Sequence, residues 1–488
     1  MANPEGEALL DPSMLMIVHA AVGVVVVVQV LTHHRPPGVS LAWILLVVLV
    51  PFLGAFLYLL FGQRRLGRRW MRRATELRPL LRDWMETLPP ADVQDPSALG
   101  AAGAAMARLA RTATGVPVMR GHKLALLSDS DSILRSLTAD IQAARRTIHM
   151  EFYIWQDGGL VDPLVDALVD AARRGVKVRC SMDAMGSARF LGGKTPARMR
   201  AAGVEVVVML PVNPVRALFV RMDLRDHRKI AVFDECIAYT GSMNVVDPKY
   251  FKQGAGVGEW VDAMARIEGP AAWVLDAVSN AMTGLQMARG TRPAPPAPLS
   301  DALRPGQVPL QVFASGPGST SFHIETVLLQ AVYSAQRQVV MTTPYFVPGS
   351  ALIQAMRAAA LRGVEVVLIL PERSDSRLVQ YASAAYFDTL LRAHVRILRF
   401  HGGLLHTKSA VVDGETAVFG TANLDERSFL LNFEVSLLVY DAGFAQSLLD
   451  LYRTYQARSE PLELDAWRAR PAWQHFAENA ADLAAPLL

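Results

Sequence analysis

Two long apolar runs open the chain. Residues 12–34 contain no Asp, Glu, Lys or Arg, and residues 38–62 are again uncharged. A hydrocarbon core of ~30 Å is crossed by roughly 20 apolar residues in a helix, so each run is long enough to span. The link between them, HHRPPG, reads as a short turn, and residues 1–63 read as a two-span transmembrane hairpin. A cleaved signal peptide fits poorly, because Glu5, Glu7 and Asp11 precede the first run and a second run follows at once. Arg64, Arg65, Arg68, Arg69, Arg72 and Arg73 follow the second run, while the turn holds only Arg35. The bias of arginine toward the cytoplasmic side places the rest of the chain in the cytoplasm.

Residues 64–118 carry a different pattern. Leu66, Trp70, Ala74, Leu77, Leu81, Trp84 and Leu88 recur every three or four positions, with arginines between them. That is one face of a helix. It fits a helix lying in the headgroup layer of an anionic membrane surface, and equally a helix packed on the body that follows. Pro79 is expected to kink or interrupt it.

From about residue 119 apolar strand-like runs alternate with Ala-rich helical stretches that end at glycine. The text then repeats. AARRTIHMEFYIW (143–155) precedes DALVDAARRGVKVRCSMD (166–183), and SAQRQVVMTTPYFVP (334–348) precedes QAMRAAALRGVEVVLILP (354–371). Each copy reads strand, helix, Arg-Gly-Val turn, strand, and a third strand follows in each (201–210 and 392–400). Parallel strands joined by helices imply right-handed crossovers and a sheet covered on both faces. The expectation is an α/β fold of two homologous α/β/α-sandwich domains, 119–290 and 310–488, related by a pseudo-twofold. The Pro-rich stretch 291–309 reads as an exposed linker or as an ordered loop across the back.

The chemistry sits at the end of each copy. HRKIAVFD (227–234) is followed by GSMN (241–244), and HTKSAVVD (406–413) by GTAN (420–423). Both have His-x-Lys-x4-Asp and then Gly-Ser/Thr-x-Asn at the same distance. A given histidine acquires such a Lys and Asp by chance roughly once in 400. On a strand, His227 and Lys229 point to one face, as do His406 and Lys408. Asp234 and Asp413 fall out of that parity and read as more structural than catalytic. A neutral imidazole can attack phosphorus, a protonated one can donate to a leaving alcohol, and two lysines can hold the non-bridging oxygens. Each half offers one such histidine, so the duplication points to one site shared at the pseudo-twofold. Ser242, Asn244, Thr421 and Asn423 are candidates for further hydrogen bonds to the substrate. An imidazole nucleophile needs its second nitrogen oriented, usually by a carboxylate. Asp262 and Glu434 lie at matching places on the next strand; the expectation is Asp262 for His227 and Glu434 for His406, with surface or edge-strand carboxylates as the alternative.

Composition narrows the function. Apolar residues make up 51% of 488 residues, and the net charge of +4 is modest for a nucleic-acid binder. Cys180 and Cys236 form no metal-binding pattern and read as free thiols. The chemistry requires no metal or other cofactor, and lysines beside the histidines would repel a divalent cation.

The doubled motif resembles the phospholipase D superfamily. The hairpin, FYIWQDG, LRDHRKIAVFD, TPYFVPG and LHTKSAVVDGETAVFGTANLDERSFLLNFE resemble bacterial cardiolipin synthases of the two-membrane-span type, over nearly the whole chain. That resemblance implies a phosphatidyl transfer between two phosphatidylglycerol molecules at a bacterial membrane. It implies His227 as nucleophile and His406 as the acid that later serves as base, although the residues alone permit the reverse. It also points to Arg225 and Arg427 as binders of lipid phosphate. A phospholipase D that hydrolyses phospholipid, or a transferase using another donor such as phosphatidylethanolamine, would use the same site. Asp226 departs from similar sequences, which tend to have Asn beside the histidine; its charge either perturbs His227 or faces away.

Overall fold

The computed structural model describes residues 12–32, 37–50, 52–58, 62, 68–211, 224–286, 304–317 and 324–483. The turn at 33–36 with Arg35, the arginines at 64 and 65, and residues 291–303 of the Pro-rich stretch lie outside these. The side chains of Arg68, Arg69 and Arg73 do so as well.

In the N-terminal unit the first apolar run forms a helix, Pro12–Thr32. Its residues Ser13–Thr32 have a mean hydropathy of 2.6 and are long enough to cross a membrane. Of the second run, expected as one span, the described residues form two shorter helices, Pro37–Leu49 and Leu53–Leu57. The break has a local cause. Phe52 adopts a φ of 58°, which a right-handed helix excludes. Val26 and Val30 of the first run are buried together with Val47, Ala55 and Tyr58 of the second.

The larger body begins at Trp70, inside the helix Arg68–Glu86, which runs through Pro79 without interruption. Leu80, Leu81, Trp84, Met85 and Leu88 pack against the body's core. Its second half therefore takes the packed alternative, and that burial offsets the hydrogen bond that proline removes.

The two repeats fold alike. In the first, the parallel strands Thr147–Phe152, Lys177–Asp183 and Glu205–Met209 continue into the antiparallel strands Lys229–Phe233, Ile237–Gly241, Met264–Glu268 and Met119–Leu127. In the second, Gln338–Thr342, Glu365–Pro371 and Arg396–Phe400 are parallel, followed by Ser409–Val412, Thr416–Gly420, Glu434–Val439 and Val308–Ser315. Ser459–Pro461 adds one edge strand to the second repeat. The Arg-Gly-Val turns end the helices Val161–Arg173 and Gly349–Leu361. Gly175 and Gly363 take φ of 92° and 90°, so each chain reverses into its strand where a Cβ would be strained.

The sheets meet where Met119–Leu127 pairs antiparallel with Val308–Ser315, giving a continuous 15-stranded sheet. Antiparallel pairing of equivalent edge strands is what a local twofold requires. His122 fastens this seam: its Nδ1 lies 2.8 Å from the Val308 carbonyl, and its Nε2 accepts from the Ala271 amide at 3.0 Å. Burial lowers it to about 4, so it serves as a neutral bridge. One core spans the seam, with Trp273 and Val278 of the helix Pro270–Gln286 alongside Leu448 and Tyr452 of Ala442–Gln456. Cys180 and Cys236 are both free thiols.

Candidate active site

Two short crossings bring the motifs together. Leu404–Leu405 pairs in parallel with Trp260–Val261, and the His406 amide donates to the Val261 carbonyl at 2.8 Å. On the other side Asp226 bridges to Phe433, and the His227 amide donates to the Phe433 carbonyl at 2.9 Å. Each histidine is thus held, by its own backbone, beside the residue that precedes a carboxylate of the opposite half.

The side chains follow the backbone. His227 Nδ1 lies 2.9 and 3.0 Å from the Glu434 carboxylate oxygens. His406 Nδ1 lies 2.7 Å from Asp262 Oδ1. This corrects the expected pairing: each carboxylate serves the histidine of the other repeat. Chain order put motif and carboxylate in one half, but the crossing strands exchange them.

Ser242 and Thr421 also differ from expectation. Ser242 Oγ donates to Asp262 Oδ1 at 2.6 Å, and Thr421 Oγ1 to Glu434 Oε2 at 2.5 Å. Their hydroxyls support the carboxylates within their own halves instead of facing substrate. Asn244 Oδ1 accepts from the Ile154 amide at 3.0 Å, while the Asn423 side-chain oxygen is buried without a partner. Both asparagines line the cavity.

Asp234 and Asp413 sit away from the chemistry. Asp234 accepts from the amides of Arg145, Arg146 and Thr147 at 2.9, 2.7 and 2.9 Å. Asp413 accepts from Gln336, Arg337 and Gln338 at 2.9, 2.7 and 2.9 Å. Each closes the turn that begins the first parallel strand of its repeat.

His227 and His406 both line one cavity of about 480 Å³, with Arg225, Arg427, Asn244 and Asn423. Arg225 is buried and lies 3.4 Å from Asp183. Sequence reasoning missed the aromatic walls. The rings of Tyr153 and His227 are 5.1 Å apart, and those of Trp260 and His406 are 4.3 Å apart. Tyr345 lines the same cavity, and its hydroxyl donates to Asp375 at 2.7 Å. The signal was present in the repeat, since a tyrosine follows the first strand of each copy in YIW and PYF.

Burial governs the electrostatics. His227 is lowered to about 4 by burial, with Lys229 and Lys408 acting the same way and Glu434 opposing. His406 is lowered to about 4 by burial and Lys408, against Asp262. Burial brings Lys229 to about 8, and burial with the charge of Lys229 holds Lys408 well below its ordinary value. Burial would raise Glu434 and Asp262, but the histidine each one faces, the nearby lysines and the hydroxyl bonds outweigh it and keep both carboxylates ionised. Each lysine donates to the carbonyl of its own histidine, at 2.7 Å for Lys229 and 2.5 Å for Lys408. With Nδ1 taken by a carboxylate, Nε2 is the nitrogen each histidine keeps for chemistry.

A doubled α/β fold with two carboxylate-oriented histidines on one cavity, each with a buried lysine bonded to its backbone carbonyl, defines a phosphodiester-transfer enzyme of the phospholipase D type. The family described as cardiolipin synthase, PLD-like domain, matches residues 137–253 and 328–454, and the phospholipase D-nuclease N-terminal family matches 21–63. Cardiolipin synthase A of Edwardsiella ictaluri is 43% identical over 466 residues, covering 95% of this chain and 96% of that protein. Cardiolipin synthase A of Yersinia pestis is 43% identical over 467 residues, with the same coverage. The chain belongs to the cardiolipin synthase family, and it is membrane-associated. Phosphatidylserine synthase of Haemophilus influenzae shares the fold, with a TM-score of 0.58 at 15% identity, over 79% of this chain and 100% of that one.

Proposed function

We propose that the protein is a cardiolipin synthase, which transfers a phosphatidyl group from one phosphatidylglycerol to another and releases glycerol. The observation that carries this reading is the exchange of carboxylates between the repeats around one cavity. Neither half alone supplies an oriented pair of histidines, and a two-step transfer needs both. The 43% identity across 95% of the chain supports the particular reaction.

In the first step His227 Nε2 attacks phosphorus, and the bond from phosphorus to the glycerol oxygen breaks. His406 gives that oxygen its proton, leaving a phosphatidyl-histidine and free glycerol. In the second step neutral His406 removes a proton from a hydroxyl of the second phosphatidylglycerol. That oxygen attacks phosphorus, the phosphorus–nitrogen bond breaks, and cardiolipin leaves with both histidines restored. Glu434 orients His227 and stabilises the positive charge that grows on it. Asp262 does the same for His406. The phosphodiester anion brings the negative charge that lets the buried acid histidine hold its proton, and Lys229 and Lys408 stabilise charge on the non-bridging oxygens. Arg225 and Arg427 bind lipid phosphate.

The same reading places the protein in the bacterial inner membrane as a multi-pass protein, with the catalytic repeats on the cytoplasmic side. It divides the chain into the hairpin 1–63, a connecting helix and linker 64–118, the repeats 119–290 and 310–488, and a linker 291–309 between them. The test is product analysis with purified full-length enzyme in vesicles of labelled phosphatidylglycerol. Cardiolipin and glycerol in equal amounts support the transfer. Phosphatidic acid in place of cardiolipin would make water the acceptor and refute it.

A further inference from the structure

Asp226 precedes His227 in the chain, yet it does not line the cavity and is only 1% exposed. It faces a buried polar cluster that the transfer mechanism above does not use. Glu151, on the strand Thr147–Phe152, is 0% exposed and within hydrogen-bonding reach of the Asp226 carboxyl and the Ser279 hydroxyl. Neither oxygen of Glu151 nor Oδ1 of Asp226 meets a well-directed amide, hydroxyl or guanidinium donor.

The charges around the cluster do not balance two carboxylates. Asp183 is served by the amides of Met185, Gly186 and Asp226 and by Arg225. Arg228, whose Nη1 is 3.8 Å from Glu151 Oε1, is the cation that acts most strongly on both Glu151 and Asp226. Lys229 and Glu434 are the remaining charged groups nearby; Lys229 acts most strongly with Glu434 and Asp262, and less strongly with Asp226. Burial raises both acids, and the charge of Glu151 adds to it at Asp226, which stands well above the usual carboxylate range. Two buried carboxyl groups in contact, served from outside only by the Ser279 hydroxyl and by Arg228, hold together when one of them is itself a donor to the other.

We propose that Asp226 and Glu151 share one proton in a carboxyl–carboxylate hydrogen bond, and that this pair is a positioning unit for His227. The proposal deepens the reading of the site given above and rests on it for the role of His227. With one proton the pair carries a single negative charge, which the Arg228 guanidinium matches. Arg228 also donates to the carbonyls of Glu434 and Ser315, at 3.2 and 3.3 Å. It thereby fixes the strand that presents the Glu434 carboxylate to His227. Loss of the shared proton leaves two negative charges on one guanidinium in a water-poor site and pushes Asp226, with the adjoining His227, away from Glu151. The native state keeps a proton that the unfolded chain releases near pH ~4. Its contribution to stability is therefore complete at acid pH and declines as pH rises through the raised value of the pair.

The experiment uses full-length enzyme in lipid nanodiscs, with infrared spectroscopy, thermal unfolding and cardiolipin formation measured from pH 6 to 9. A protonated-carboxyl band is expected in the wild type at neutral pH and is lost in both Asp226→Asn and Glu151→Gln. Asp226→Asn, whose amide keeps a donor toward Glu151, is expected to retain kcat within about threefold. It is also expected to flatten the fall of Tm with pH. Asp226→Ala, of unchanged secondary structure by circular dichroism, is expected to lower kcat by about tenfold or more with little change in KM. A band unmoved by either amide substitution, or Asp226→Asn as damaging as Asp226→Ala, overturns the proposal. Should the wild type make no cardiolipin while the band is present and lost in Asp226→Asn, the shared proton stands and the assigned reaction falls.

Discussion

Replacing Glu434 by glutamine tests the exchange of carboxylates most directly. Glu434 is fully buried and accepts from His227 Nδ1, from Thr421 at 2.5 Å and from Asn432 at 3.3 Å. A glutamine oriented with its oxygen toward His227 and Asn432 keeps the imidazole bond and loses the charge. Thr421 Oγ1 also lies 3.2 Å from the Val435 carbonyl, so its hydroxyl can turn there. The main loss is then electrostatic. A hydrogen bond to a charged group contributes about 1.5–3 kcal/mol and a neutral one about 1 kcal/mol. Those values differ by about 0.5–2 kcal/mol in the ground state. The carboxylate matters most as His227 becomes cationic on attacking phosphorus, where losing a preorganised charge-stabilising group in a water-poor site costs about 2–4 kcal/mol. At about 1.4 kcal/mol per decade, kcat falls roughly 30- to 1000-fold. Rapid-quench measurement of glycerol release in a single turnover reads this step. Nitrogen NMR of labelled histidines reads the partner, with His227 displaced and His406 unmoved. A loss below about threefold, or a displaced His406 with an unmoved His227, would refute the exchanged pairing.

Three further outcomes are expected. Both histidines are near 4 and Lys229 near 8 in the empty cavity, so kcat/KM should fall as pH rises from about 5 to 8. The profile of kcat should break at higher pH, because bound phosphodiester raises the acid histidine; coincident breaks in steady-state kinetics would contradict this. Asp234→Asn and Asp413→Asn each weaken a carboxylate that accepts three amides, which should cost about 1–3 kcal/mol of stability in thermal or denaturant unfolding. The folded fraction should keep most of its kcat, and a loss above about a hundredfold without destabilisation would return these aspartates to the chemistry. Gly403→Ala should lower activity about tenfold or more, since Gly403 has a φ of 120° and a Cβ there would meet the Glu259 carbonyl at 2.1 Å. The amide of Leu404 donates to that same carbonyl at 2.9 Å, so the crossing that joins His406 to Asp262 would be pried open. Unchanged kcat in Gly403→Ala would show that the crossing tolerates movement.

Much of this protein is legible from local rules. Strand and helix periods, the Arg-Gly-Val turns and the doubled His-x-Lys-x4-Asp motif all act over a few residues, and each carries its own stereochemistry. Strand parity alone separated His227 and Lys229 from Asp234, and the aspartate proved to be a turn-closing acceptor of amides. The repeat also implied a shared site, since one half holds one histidine. Other features depend on which segments become neighbours. The second apolar run looked continuous, but its packing and the left-handed Phe52 divide it. The basic helix was ambiguous until Trp84 and Leu88 found a core to enter. The partner of each histidine could not be read along the chain, because the matching carboxylates are equivalent under the repeat. Only the antiparallel seam at Met119 and Leu310, with its two short crossings, sets Glu434 beside His227 and Asp262 beside His406. A local pattern specifies what a segment presents, and the long-range pairing of strands decides to whom.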